Sequence, residues 1–262
     1  MGILNVTPDS FSDGGDYSGV EAAVARAMQM LDEGAGVIDI GGESTRPGSD
    51  PVIPEEEIER VVPVIRSILD ERPDTVISVD TYHAVTAEAA LDAGARIIND
   101  ISALRADERM AEVVSRAGCP LVLMHMLGEP RTMQQDPRYD DVVEEVRQFL
   151  SERAEAAVSA GVDPSNVILD PGIGFGKTVE HNLALIESLD AIAGLGYPVL
   201  FGASRKRFIG SVSGIEEASE RVFGTIATSV LAYERGASIF RVHDVRANRE
   251  ALEVAIAVSN SS

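Results

Sequence analysis

Eight short apolar runs along this chain each open into a residue that can accept a hydrogen bond, donate one or carry charge. In order, the exits are Asn5, Glu43-Ser44-Thr45-Arg46, Asp80-Thr81, Asn99-Asp100, His125, Asp170, Ser204-Arg205-Lys206 and His243-Asp244. One polar exit alone is an ordinary loop or a helix cap. Eight in succession supply carboxylates, amides, hydroxyls and cations, enough to bind a polar ligand and to steady charge that develops on it. The first exit is the richest. ILNVTPDSFSDGG (Ile3 to Gly15) passes from a buried-strand pattern straight into polar residues, and Pro8 with the pair Gly14-Gly15 excludes regular structure there. No Ser-His-Asp arrangement stands out among them.

The elements that must position these residues alternate. Strands are predicted at Ile3 to Val6, Val37 to Ile40, Val76 to Val79, Arg96 to Ile98, Leu121 to Met124, Val167 to Leu169, Val199 to Phe201 and Ile239 to Val242. Alanine-rich helical patterns run over Val20 to Glu33, Glu55 to Asp70, Asp107 to Arg116, Asp141 to Ala160, Val179 to Ala193 and Glu217 to Arg235. Gly34, Gly94, Gly118, Gly161 and Gly236 stand at or just past the last helical turns. Eight β/α repeats predict an α/β chain folded as a closed (β/α)8 TIM barrel, with an open doubly wound sheet as the runner-up. In a barrel the eight exits share one rim, at the C-terminal ends of the strands. No linker or low-complexity run divides the 262 residues, so one domain over 1–262 is expected.

The chain carries 43 Asp plus Glu against 22 Lys plus Arg, a formal net charge of −21. Such a field repels nucleic acid and anionic membrane. No apolar stretch is long enough to span a bilayer and no signal-peptide pattern opens the chain, so a soluble cytoplasmic protein is expected. Only Lys177 and Lys206 are lysine. An acidic, lysine-poor surface suits molar salt, where screening shortens to about 3 Å; a halophilic source is expected. A chain that avoids lysine yet keeps two also has a use for at least one. Cys119, the one cysteine, reads as a buried thiol. DPGIGFGKT (Asp170 to Thr178) imitates a phosphate loop but has Pro171 where GxxxxGK[ST] requires glycine. Its glycines are read as letting the backbone turn tightly after the strand, leaving Asp170 exposed on the rim. His83, His125, His181 and Cys119 lack zinc-ligand spacing. His181 reads as a surface or capping residue, and Asp80 taken alone could cap a helix from Tyr82 to Leu91.

The motifs NVTPDSFSDGG (Asn5 to Gly15), GGESTRPG (Gly41 to Gly48), SVDT (Ser78 to Thr81), IND (Ile98 to Asp100), LMHM (Leu123 to Met126), DPGIGFGK (Asp170 to Lys177), SRK (Ser204 to Lys206) and RVHDV (Arg241 to Val245) together resemble dihydropteroate synthase, in that family's order. The resemblance implies a TIM barrel, commonly a homodimer using Mg²⁺, that condenses p-aminobenzoate with 6-hydroxymethyl-7,8-dihydropterin diphosphate. It implies that Asp80, Asn99, Asp170 and Lys206 hold the pterin, with Met124 along its face. A carboxylate can accept two parallel donors of the kind a pterin edge presents. Arg46, Arg241 and His243 would meet the diphosphate, where cations assist departure, and Asn5 would bind the Mg²⁺. Phe11, Thr45, Pro47 and Ser204 would form the p-aminobenzoate pocket, with Asp13 steering the amine and both leading loops closing out water.

Two departures from the family's pattern stand out. Met1 nearly opens the first strand, where relatives carry a preceding segment that helps close the barrel bottom, so a trimmed start or a different closure is expected. Arg207 follows Lys206 where many relatives have serine, adding a cation near the p-aminobenzoate carboxylate. Three other readings share parts of this pattern: a pterin methyltransferase serving a corrinoid protein, a non-catalytic pterin-binding paralogue, and an unrelated phosphate-binding barrel enzyme. Ser204-Arg205-Lys206 and Arg241-x-His243 speak against the first, since methyl transfer needs no diphosphate site. Retention of Asn5, Asp13, Thr45 and Arg46 speaks against the second.

Overall fold

The computed structural model describes residues 1–7, 15–44 and 51–261, with the backbone alone at 15–18. Among the described residues eight strands form one parallel sheet in sequential order: β1 (Gly2–Asn5), β2 (Ile38–Gly41), β3 (Ile77–Asp80), β4 (Ile97–Asp100), β5 (Leu121–Met124), β6 (Val167–Asp170), β7 (Val199–Phe201) and β8 (Ala237–Phe240). The sheet closes on itself. Beyond β8, Val242 bridges Gly2 in parallel; Ile3 N donates to Val242 O at 3.0 Å and Val242 N to Met1 O at 3.0 Å. This is the (β/α)8 barrel expected from the repeats, not the open sheet.

Alternate residues of each strand point to opposite faces, and most of them are buried on both, the exception being β8, where Ser238 is exposed. Outward residues such as Ile38, Ile40, Ile77, Val79, Leu121, Leu123, Val167 and Leu169 are buried against the helices. Each contributes about 2 kcal/mol of hydrophobic stabilisation. Inward residues Val122, Ile168 and Leu200 pack with Ile97 and Ile239 inside the barrel. That double burial is why the strands read as near-continuous apolar runs.

The register then selects the rim. Asn5 pairs with Gly41, Gly41 with Asp80 and Asp80 with Asn99, while Met124 pairs with Asp170. These five side-chain positions share the inward parity, two residues beyond the layer that holds Ile97, Val122 and Ile168.

The helices are α1 (Gly15–Asp32), α2 (Pro54–Glu71), α3 (Ala84–Asp92), α4 (Met110–Ala117), α5 (Val142–Ser159), α6 (Val179–Glu187), α7 (Asp190–Ala193), α8 (Arg207–Ser213), α9 (Val222–Glu234) and α10 (Val245–Ser259). The single helix expected over Val179 to Ala193 is broken after Glu187, where Leu189 is drawn fully into the core. The stretch expected as helix from Glu217 opens as a 3-10 turn, Ala218–Glu220, before α9. The helices α8 and α10 were not foreseen: the first is only seven residues long, and of α10 only Val245 and Asn248 are buried. Asp80 caps nothing, because α3 starts at Ala84 with His83 at its N-cap. His181 is a capping residue, closing a reciprocal box with Thr178 at the start of α6, and Cys119 is buried.

Asp100, adjacent to Asn99 and of opposite parity, is structural. Its carboxylate accepts from Ser102 N and Oγ, each at 2.7 Å, and from Leu104 N at 2.7 Å. It thereby holds a turn in which Ala103 and Leu104 have φ of 53° and 63°, a conformation unfavourable for residues with a Cβ. Asp100→Ala leaves these buried donors without a partner and should lower the unfolding free energy by about 2 kcal/mol or more. A urea midpoint unchanged from the parent chain would contradict this role.

Candidate active site

The inward rim residues converge on the mouth of the barrel as a compensated charge cluster. Arg241, just past β8, donates from Nη2 to Asp80 Oδ2 at 2.8 Å and from Nε to Asp39 Oδ2 at 2.6 Å. Asn99 Nδ2 donates to the same Asp39 oxygen at 3.2 Å. Across the mouth, Asp170 Oδ1 accepts from Gly172 N at 2.7 Å. Lys206 Nζ donates to Ile173 O and lies 4.6 Å from the centre of the Phe175 ring. Asp170 is only 6% exposed; it stands on the rim as expected but is buried, not open to solvent.

Glycines let the backbone after β6 come this close. Gly172 has φ of +65°, and a Cβ there would stand 1.8 Å from His125 O. At Gly174, φ +83°, a Cβ would stand 3.0 Å from Lys206 Cδ. A left-handed turn against neighbouring atoms admits only glycine.

Burial sets the protonation energetics. It pushes the Asp170 carboxyl up from its ordinary value, and the Lys206 ammonium pulls it back down. Burial likewise raises Asp80, opposed by Arg241. Burial lowers Lys206 to about 8, against the pull of Asp170. For Arg241, burial works against the charge, but Asp39 and Asp80 outweigh it and hold the guanidinium more firmly protonated. Each group therefore depends on the others, since an isolated buried charge is prohibitive.

Beside this cluster lies an apolar wall. Ile101, Met124, Met126 and Met133 form a buried group against which Tyr82 and Phe175 pack. Only Met124 was singled out in the sequence; the others sit in loops after β3, β4, β5 and β6, where single methionines and aromatics carry no periodic signal.

The structure divides the remaining exits. Ser204 Oγ lies 3.0 Å from His243 Nδ1 and accepts from His243 N at 3.1 Å. Arg205 turns away into a two-pronged pair with Asp244, at 2.6 and 2.9 Å. Thr81 Oγ1 donates to the buried Glu57, which also meets His83 Nδ1 at 2.9 Å. Glu43 accepts from Tyr82 OH at 2.7 Å. His125 points outward, packs edge-on against Phe149 and meets the buried Lys177 ammonium at 2.9 Å. Burial and Lys177 lower its pKa to about 2, so this imidazole stays neutral. Arg207 begins α8 and is exposed. Phe11, Asp13, Thr45, Arg46 and Pro47 lie outside the described residues.

Asn5 ends β1 and faces the same mouth. A Cβ placed at Gly41 would stand 3.7 Å from Asn5 Oδ1 and 3.6 Å from Asp80 Cβ, so Gly41 keeps the space between them open. Among the described residues no group of three His, Cys, Asp or Glu is gathered to hold a metal. One amide oxygen beside an open space suits Mg²⁺, which keeps several waters and takes the rest of its ligands from substrate phosphates. A surface cleft of about 770 Å³, lined by Val20, Met28, Asp32, Glu71 and Arg246 among others, lies on the helical ring and includes none of these residues.

Asp39 was missed. It is fully buried in the middle of β2, between Ile38 and Ile40. The signal was an acid inside an apolar strand, four residues ahead of the exit at Glu43.

Comparison with known proteins gives this geometry a family. The family described as pterin binding enzyme matches residues 1–243. The chain belongs to this family, among the dihydropteroate synthases. It is 50% identical over 246 residues to the dihydropteroate synthase of Bacillus subtilis, covering 94% of this chain and 83% of that one. It is 46% identical over 258 residues to that of Synechocystis sp., covering 98% and 89%. Among solved structures, Xanthomonas albilineans dihydropteroate synthase with 4-aminobenzoic acid superposes with a TM-score of 0.93 at 49% identity, covering 99% of this chain and 92% of that one.

Proposed function

We infer that the chain joins p-aminobenzoate to the methylene carbon of (7,8-dihydropterin-6-yl)methyl diphosphate. The products are 7,8-dihydropteroate and diphosphate, the dihydropteroate synthase reaction of folate synthesis. The observation that carries this is the ring of Asp80, Asn99, Asp170, Lys206 and Arg241 at one barrel mouth, with Asn99 and Asp170 buried and the other three half-buried, in a chain about half identical to dihydropteroate synthases along nearly its whole length. Related structures bind the pieces: the Xanthomonas albilineans enzyme has been solved with 4-aminobenzoic acid and with 7,8-dihydropteroate.

In this reading the carboxylates of Asp80 and Asp170 accept the parallel N–H donors of the pterin edge. Asn99 donates to and accepts from its amide edge, and Lys206 meets its acceptor side. Met124 lies along the ring. Arg241 and His243, with Arg46, receive the diphosphate, and negative charge gathering on the leaving oxygens is met by cations already in place. The carbon–oxygen bond breaks first, and the arylamine nitrogen then captures the methylene carbon and loses a proton. Phe11, Thr45, Pro47 and Ser204 hold the p-aminobenzoate, Asp13 steers its amine, and closing loops keep water from the cation. Asn5 holds the Mg²⁺, whose charge offsets that of the diphosphate.

The chain works in the cytoplasm of a salt-adapted cell, its acidic surface matched to high KCl. No described helix is long and apolar enough to cross a membrane. It works as a homodimer: Phe223 on α9 and Val254 and Val258 on α10 are 79%, 65% and 64% exposed, apolar side chains that pairing would cover. Sedimentation at a monomer's mass would contradict that.

In molar KCl with Mg²⁺, dihydropteroate followed by chromatography should appear only when both substrates are present. Lys206→Ala and Asp170→Asn should each lower kcat/KM by about 100-fold or more with unchanged circular dichroism; near-normal turnover in either would contradict the assignment. Repeating the assay with Mg²⁺ chelated, and separately at low KCl, should cut turnover in both cases. The pH profile should be bell-shaped. Asp80 and Asp170 have raised pKa values, so the acid limb should lie above the ordinary carboxylate range. Lys206 loses its proton near pH 8, so activity should fall beyond it.

A further inference from the structure

Asp39 is a costly residue to keep. It is fully buried, and among the described residues its Oδ1 has no hydrogen-bond partner. Its register neighbour Ser78, also fully buried, has an unpartnered Oγ. A carboxylate with one oxygen unsatisfied destabilises the fold relative to an apolar residue of similar size. Elsewhere in this inward layer the chain places Ile97, Val122, Ile168, Leu200 and Ile239. The donors that Asp39 does have are both at the mouth: Arg241 through Nε at 2.6 Å and Asn99 through Nδ2 at 3.2 Å. The N-terminal ammonium of Met1 also feels the Asp39 charge, but every hydrogen bond Asp39 accepts comes from a site residue, and a costly group bonded in that way is held for the site.

The two carboxylates hold different ends of one guanidinium. Asp39 takes Nε, nearest the stem, while Asp80 takes Nη2 at the tip. In the dihydropteroate synthase reading, on which this inference rests, Asp80 is also needed by the pterin, so Nη2 must leave it when substrate enters. The stem contact competes with nothing the substrate brings. We propose that Asp39 is the positioning residue for Arg241: it pins the guanidinium through Nε, and the tip turns about that pin from Asp80 to the incoming diphosphate. The diphosphate thereby exposes the carboxylate that the pterin ring requires, and a pterin without a diphosphate must displace Arg241 from Asp80 unaided.

The test compares two ligands, the dihydropterin diphosphate and the corresponding 6-hydroxymethyl alcohol, by calorimetric titration. In the unmodified chain the diphosphate form should bind more tightly. Asp39→Asn keeps the shape and removes the charge; it should weaken the diphosphate ligand about tenfold or more and the alcohol by far less. In an Arg241→Gln background the same change should add little, because the group that Asp39 positions is gone. If Asp39→Asn weakens both ligands by the same factor, or has its full effect without Arg241, Asp39 is merely structural and the proposal is overturned. Should that variant not fold, a crystal structure of the unmodified chain with the diphosphate ligand decides: Nε still on Asp39 with Nη2 off Asp80 supports the proposal, and Arg241 gone from Asp39 overturns it. If the unmodified chain binds neither pterin, the synthase reading itself fails, and this inference with it.

Discussion

Three carboxylates and two cations share the enclosed mouth of one barrel, and none could be held there alone. Asp39 and Asp80 keep Arg241 charged against the pull of burial, and Arg241 and Lys206 restrain the upward shifts of Asp80 and Asp170. Such a set adds little to stability, because desolvation consumes most of what the ion pairs return. It demands a rigid frame that keeps each partner in reach. The strands supply that frame, and two large apolar clusters between sheet and helices supply the stability that the mouth does not.

Strand parity decides how much of this was legible beforehand. The alternation of apolar runs with helical stretches marks a parallel α/β sheet, and eight repeats favour its closure into a barrel, in which polar strand exits fall on one rim. Within an exit, neighbouring residues face opposite ways. Asn99 turns inward while Asp100 ties down its own turn; Asp80 turns inward while Thr81 reaches Glu57. Composition does not separate such neighbours, since both are polar. Asp39 was overlooked for the complementary reason: it lies inside the strand, where only its type and not its place in a loop marked it. The roles of Phe11, Asp13 and Thr45 to Pro47 in the two leading loops came from motif resemblance, and these residues lie outside the described part of the structure.

The economy of lysine acquires a structural sense. Both lysines are drawn to the loops after β6 and β7. Lys206 sits against Asp170 and the Phe175 ring, and Lys177 is buried under the same loop, donating to Phe175 O at 3.0 Å. A compact ammonium suits such enclosed positions; arginine serves both the mouth, at Arg241, and surface pairs such as Arg116 with Glu88. Exposed pairs of this kind are worth little individually, so the acidic surface is better understood through its solvent than through its ion pairs.

Because the carboxylates at the mouth are shifted upward by burial, ligand binding must be coupled to proton release. Calorimetric titration of the dihydropterin diphosphate near pH 6, in buffers of different ionisation enthalpy, reads that coupling directly. A pterin edge that donates to ionised Asp80 and Asp170 should drive protons off the protein, and the number released should fall in Asp80→Asn. Tight binding with no proton release, or a release that Asp80→Asn leaves unchanged, would contradict the claim that these buried carboxylates receive the pterin.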